Sequence, residues 1–259
     1  MKKYLILSVV VLVMISLSRC QFNIFTELDK IEIPNAADLS SKASSDPDGF
    51  LDDVNEYIDS ESISEDDAAG VIGALKLVYG DATKPSDMTD DEWADVQEEA
   101  AVLAGEIAIS SDPETKELVD NIVASLTELT DTTTGDEVLT GIFPENLTRD
   151  QFTAILNNLE IAAAAYEDFA ASIDSDNNGI ADVDAAVWLD STEAGNLAMY
   201  AAIAMISTGI RDAADDDQAL YSFIYNDDVT TIAGYNDSTE NPLDTNALSA
   251  ILDLAGIVY

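Results

Sequence analysis

The chain has 259 residues, of which 52 are Asp or Glu and 10 are Lys or Arg, giving a net charge of −42, with no histidine and one cysteine. So negative a surface repels phosphate backbones, which excludes nucleic acid as a partner. The composition also excludes Ser-His-Asp and Cys-His catalysis, His-based zinc sites and disulfides within the chain.

Hydrophobic residues make up 47% of the chain and recur in helical phase, which argues against disorder as the meaning of the charge. Adaptation to high salt, where counterions screen self-repulsion, and a cationic or divalent partner remain as its readings.

Met1-Lys2-Lys3 is a short basic start, and Tyr4 to Ser18 is an unbroken run of apolar and hydroxyl residues. That is the pattern of a secretory signal, too short to span a membrane comfortably. Cys20 lies directly behind it. Leu17-Ser18-Arg19-Cys20 resembles the bacterial lipobox, with Arg19 in place of the usual small residue. The resemblance implies a signal peptide of residues 1–19 and a Cys20 that carries thioether-linked diacylglycerol and an N-acyl chain such as palmitate. Gln21 rather than Asp behind the cysteine implies the outer membrane, with a periplasmic or surface-exposed body. Ordinary cleavage after Ser18 is the competing reading, since Ser16-Leu17-Ser18 also satisfies a small-x-small rule. The position of a lone cysteine favours the lipid anchor, and two or three acyl chains hold firmly where one does not.

Residues 20–45 read as a lipid-anchored tether, with Pro34 and the run Ser40 to Ser45 as a joint. A helical domain follows over 46–259. Asp46-Pro47 opens its first helix, with Phe50, Leu51, Val54, Tyr57 and Ile58 on one face. Ser64 opens a second, which Gly80 closes. Thr89 and Glu92 form a capping box ahead of Trp93, Val96, Ala100, Leu103 and Ile107. Asp112-Pro113 starts a fourth. After a turn-rich stretch, Thr148 caps the strongest pattern, Phe152, Ile155, Leu159, Ala162, Tyr166, Phe169 and Ile173.

That helix runs into a dense series of oxygen donors. With Asp174 at position one, Asp176 falls at three, Asn178 at five, Gly179 at six, the Ile180 carbonyl at seven and Asp182 at nine. A calcium loop needs this order, because it must turn sharply while aiming alternate oxygens at one point. Position twelve, where an EF-hand places a bidentate Glu, is Ala185, and Asp184 is the nearest candidate for the missing ligand. The run resembles the Asp-x-Asp-x-Asn/Asp-Gly calcium loops of extracellular bacterial and thrombospondin-type repeats over about nine residues. The resemblance implies calcium bound by Asp174, Asp176, Asn178, Ile180, Asp182 and Asp184. An acidic, glycine-bearing turn is the plainer reading.

Beyond Trp188, a sixth helix starts near Thr192, and its uncharged stretch Ala194 to Ile210 reads as a central buried helix rather than a second membrane span. The cluster Asp215 to Asp217 suits a seventh start, and Asp244 or Thr245 caps a last helix with Leu248, Ile251 and Leu252. The expected fold is an all-α irregular bundle of about eight helices arranged as hairpins, and in outline it resembles the tetratricopeptide-like lipoproteins of bacterial envelopes.

Two functions are consistent with this. One is a non-catalytic envelope protein, anchored to the membrane by lipid and stiffened by calcium, that binds or presents a protein or small-molecule partner. The other is a carbohydrate-active envelope enzyme working through a carboxylate pair, the one catalytic chemistry the composition leaves open.

Overall fold

A computed structural model of the chain describes residues 32–60, 63–81, 83–128, 143–144, 146–182, 186, 189, 191–214, 216–226, 231–232 and 245–257. Cys20, Asp184 and Trp188 lie outside these. The fold is all-α. In chain order the helices are α1 (Ala36–Ser45), α2 (Pro47–Asp59), α3 (Glu65–Lys76), α4 (Asp90–Ser110), α5 (Pro113–Glu128), α6 (Arg149–Ile173), α7 (Ser191–Ala214), α8 (Asp217–Tyr225) and α9 (Thr245–Leu254).

Local chemistry sets most of the starts. Asp46 accepts the Gly49 N–H ahead of Pro47, a residue suited to the first helical position because it lacks the N–H that would go unpaired there. Thr89 with Glu92 and Thr148 with Gln151 both form complete capping boxes. The buried Asp112 accepts the Thr115 N–H at 2.9 Å at the head of α5, and Asp216 accepts that of Gln218 at the head of α8. Ser64 differs: its hydroxyl goes to the Asp67 carboxylate and not to the backbone.

Two expectations are corrected. The Ser40 to Ser45 run, read as a joint, is helical in α1. Its serines fold their hydroxyls back on the carbonyl four residues earlier, Ser40 on Ala36 and Ser44 on Ser40, and Leu39 and Ala43 are buried one turn apart. Apolar burial at that spacing outweighs the weak helix preference of serine. Gly80 does not close α3. The helix widens into a π turn over Leu77–Asp81, and the Gln97 amide of α4 donates to the carbonyls of Val78 and Tyr79.

The described helices enclose two principal cores that share α4. Val96, Ala100, Leu103, Ala104 and Ile107 face α1, α2 and α3, whereas Ala101, Ala108 and Ile109 face α5, α6, α7 and α9. A smaller cluster joins Phe152 and Leu156 of α6 to Leu220 and Ile224 of α8. There Phe152 meets Tyr221 edge-on, and the Tyr221 and Tyr225 hydroxyls donate to the carbonyls of Leu147 and Pro144. The central position expected for α7 is observed: Ala198, Ala201, Ala202, Ile203 and Ala204 are all buried. Among the described residues no helix is long and apolar enough to cross a membrane.

The most extensive helix pairing is between α4 and α6. It depends on small residues, because Gly105 lies so close to Tyr166 that a Cβ there would stand 2.5 Å from two ring carbons. Tyr166 is fully buried, and its hydroxyl has no partner among the described residues. Burial, followed by the nearby Glu106 and Tyr200, pushes its pKa well up.

Two glycine substitutions separate packing from propensity. Overpacking costs about 1–3 kcal/mol while alanine returns up to about 1 kcal/mol of helix propensity, so Gly105→Ala is expected to lower unfolding free energy. Gly73 in α3 has nothing within 4 Å of the same position, so Gly73→Ala is expected to raise it by about 0.5–1 kcal/mol. Urea unfolding of both variants checks the pair.

Candidate ion-binding loop

The segment after α6 closes into a ring over residues 173–182. Asp174 caps the helix, its N–H donating to Ala170 O at 3.0 Å, and is only 4% exposed. Its carboxylate turns forward over the loop: Oδ1 accepts the Asn178 N–H at 3.0 Å and Oδ2 the Gly179 N–H at 2.7 Å. The Asn178 side-chain oxygen accepts the Ile180 N–H at 2.8 Å, and Asp182 Oδ2 accepts the Ser175 N–H at 3.2 Å. The Asp182 N–H donates to Ile173 O at 2.7 Å, which closes the ring and satisfies the last carbonyl of α6.

The turn needs two left-handed residues, Asn177 at φ 53° and Gly179 at φ 80°. Asparagine tolerates that region and glycine enters it without steric cost.

The ring is held from outside by α9. A Cβ on Gly179 would stand 3.1 Å from Ser249 Cβ of α9, so the loop backbone lies against that helix. Asn246 Nδ2 donates to Asn177 O at 3.0 Å, and Asp253 Oδ2 accepts the Ala181 N–H at 3.2 Å. Downstream, Ala186 takes φ 47° and donates its N–H to Glu98 Oε2 of α4 at 3.1 Å, both residues being buried.

Burial works to raise the Asp174 carboxyl. The Asn178 and Gly179 N–H groups, with Asp176 and Asn177 behind them, more than offset it and hold the group below the usual carboxylate range.

Of the residues the sequence assigns to calcium, Asp174, Asn178 and Asp182 all serve the ring's own backbone. Asp176, Asn178 and Asp182 are exposed and Ile180 is 57% exposed. Asp184 lies outside the described residues. Among the described residues no three acidic side chains are gathered as they would be around a metal ion. In kind the donors fit a hard divalent cation, being carboxylates, an amide oxygen and a main-chain carbonyl with no nitrogen or sulfur among them.

Sequence spacing does not reveal Glu98, Asn246 or Asp253, which reach the loop segment from helices far along the chain.

Two clefts lie elsewhere. One, of about 680 Å³, is rimmed by the carboxylates of Glu32, Asp38, Asp66 and Asp67. The other is a narrow apolar crevice among Leu118, Ile122, Leu156 and Phe223. The carboxyls that burial pushes up, Glu99 beside Asn55 and Glu106 near Asp59, line neither cleft. No protein-family model, curated protein or solved structure matches the chain.

The lowered Asp174 value sets a sign for acid sensitivity. Its contribution to stability is complete above the unfolded aspartate pKa of about 3.9 and is lost as pH falls through the lower folded value. The acid limb of the stability–pH curve is therefore expected to flatten in Asp174→Ala. Denaturant midpoints measured from neutral to strongly acidic pH check this.

Proposed function

We propose that the chain is a lipid-anchored protein of the bacterial cell envelope. Cys20 carries the acyl chains at the outer membrane, and the helical body acts as a non-catalytic binding or scaffold module stiffened by calcium at the Asp174 ring. The single observation that carries the calcium part is the ring itself: the segment whose donors recur in calcium-loop order is also the segment that joins the end of α6 to α9. An ion held by Asp174, Asp176, Asn178, Ile180, Asp182 and Asp184 would supply charge neutralisation to a loop crowded with carboxylates. The chain's own residues do the rest, with Gly179 making the turn and Asn246 and Asp253 fixing its outer wall.

The anchor part rests on the sequence from Met1 to Gln21. The charge of −42 suits a saline environment that screens self-repulsion.

The test combines the two parts. Expressed in a bacterial host fed labelled palmitate, the full chain is expected to take up label, and Cys20→Ser is expected to lose it. Labelling that survives the substitution would remove the anchor. In high sodium chloride, calcium at about 10 mM acting on a site with a dissociation constant on the order of 10⁻⁴ to 10⁻³ M is expected to add about 1.4 to 2.7 kcal/mol of stability. Asp174→Ala/Asp176→Ala is expected to abolish that gain. An equal gain in the double variant would remove the ring as the calcium site.

A further inference from the structure

Helix α9 is 10 residues long, a length at which a helix does not persist unaided in water. Its order therefore depends on its seat. Ala247, Leu248, Ala250, Ile251 and Leu252 are buried in the core that α6 and α7 share. Its far end is closed by its own backbone: the N–H of Gly256, at φ 69°, donates to Asp253 O and that of Ile257 to Leu252 O, the pair of hydrogen bonds that ends a glycine-terminated helix.

The side chains of α9 reach toward the ring. Asn246 holds the Asn177 carbonyl, Ser249 lies against Gly179, and Asp253 takes the Ala181 N–H. The position of Asp253 is informative. A carboxylate in the last turn opposes the helix dipole, so it weakens α9 taken alone and is favourable only through its contact with the ring.

We propose that the 173–182 ring is a latch for the C-terminal helix: closed, it seats α9 on α6 and α7, and open, it releases α9 and bares the apolar face between them. Calcium acts as the closing agent, and this clause rests on the calcium reading above; the latch does not. The ring's acceptor Asn177 O and its donor the Ala181 N–H meet Asn246 and Asp253 only while Asn177 and Gly179 hold their left-handed turns, so whatever orders those turns orders α9.

The test is hydrogen–deuterium exchange of the full chain in detergent, with calcium at about 5 mM or with chelator, comparing the native protein with Asn246→Ala/Asp253→Ala. Both substitutions favour an isolated helix, one by propensity and the other by removing the charge that opposes the dipole, so any loosening of α9 reports the lost ring contacts. Exchange over residues 245–257 is expected to speed up by about tenfold or more in the double variant while α4 keeps its rates. Unchanged exchange in 245–257 would overturn the latch. If the double variant loosens α9 but calcium does not slow its exchange in the native protein, the latch stands and the calcium reading falls.

Discussion

The carboxylate of Asp174, buried at the end of the longest described helix, accepts the N–H groups of Asn178 and Gly179, and that cap sets the path of the chain beyond α6. An aspartate can do this because a carboxylate offers two oxygens, one to each of two neighbouring backbone donors. Once the cap is made, Gly179 lies against α9, Ala181 meets Asp253, and the chain turns on toward its contact with Glu98. Helix α6 is placed by its packing on α4, where Gly105 lets the two backbones approach. The ring therefore takes its position from the larger core and passes it to the C-terminal helix.

Charge is distributed in keeping with this. Acids gather at helix starts, as at Glu65, Asp66 and Asp67 of α3 and Asp90, Asp91 and Glu92 of α4, where they complement the dipole. Basic residues are few and well used. Arg211 of α7 bonds Asp217, Glu160 and Asn157 together, which fastens α7 to α6 and to the head of α8. Among the described residues the exposed acids outnumber the basic residues, so counterions rather than partner side chains carry the task of screening.

Much of the architecture was legible because its signals are local. Thr89 and Thr148 announce their helices by capping boxes that depend on residues three apart, and apolar spacing from Phe152 to Ile173 fixes the buried face of α6. What was not legible depends on distant groups. The helix over Ser40 to Ser45 is decided by burial of Leu39 and Ala43 under a core formed by later residues, and the π turn at Gly80 by the Gln97 side chain. At the candidate site the spacing identified the turn and its donors. It did not identify the ring's attachment to α9, because no periodicity links Ala181 to a residue 72 positions away. The faint signal available was Asp253 itself, an acid set against its own helix dipole.

Asp174 and Asp253 act on different parts of the ring and are energetically joined through it. A double-mutant cycle of Asp174→Ala and Asp253→Ala, measured by chemical denaturation at fixed salt and calcium, addresses this directly. A coupling energy of about 0.5–3 kcal/mol is expected, the range for residues linked through a shared backbone shift. Additivity within about 0.3 kcal/mol, as for independent sites, would mean that the ring does not transmit the order of α6 to α9, and would contradict the account.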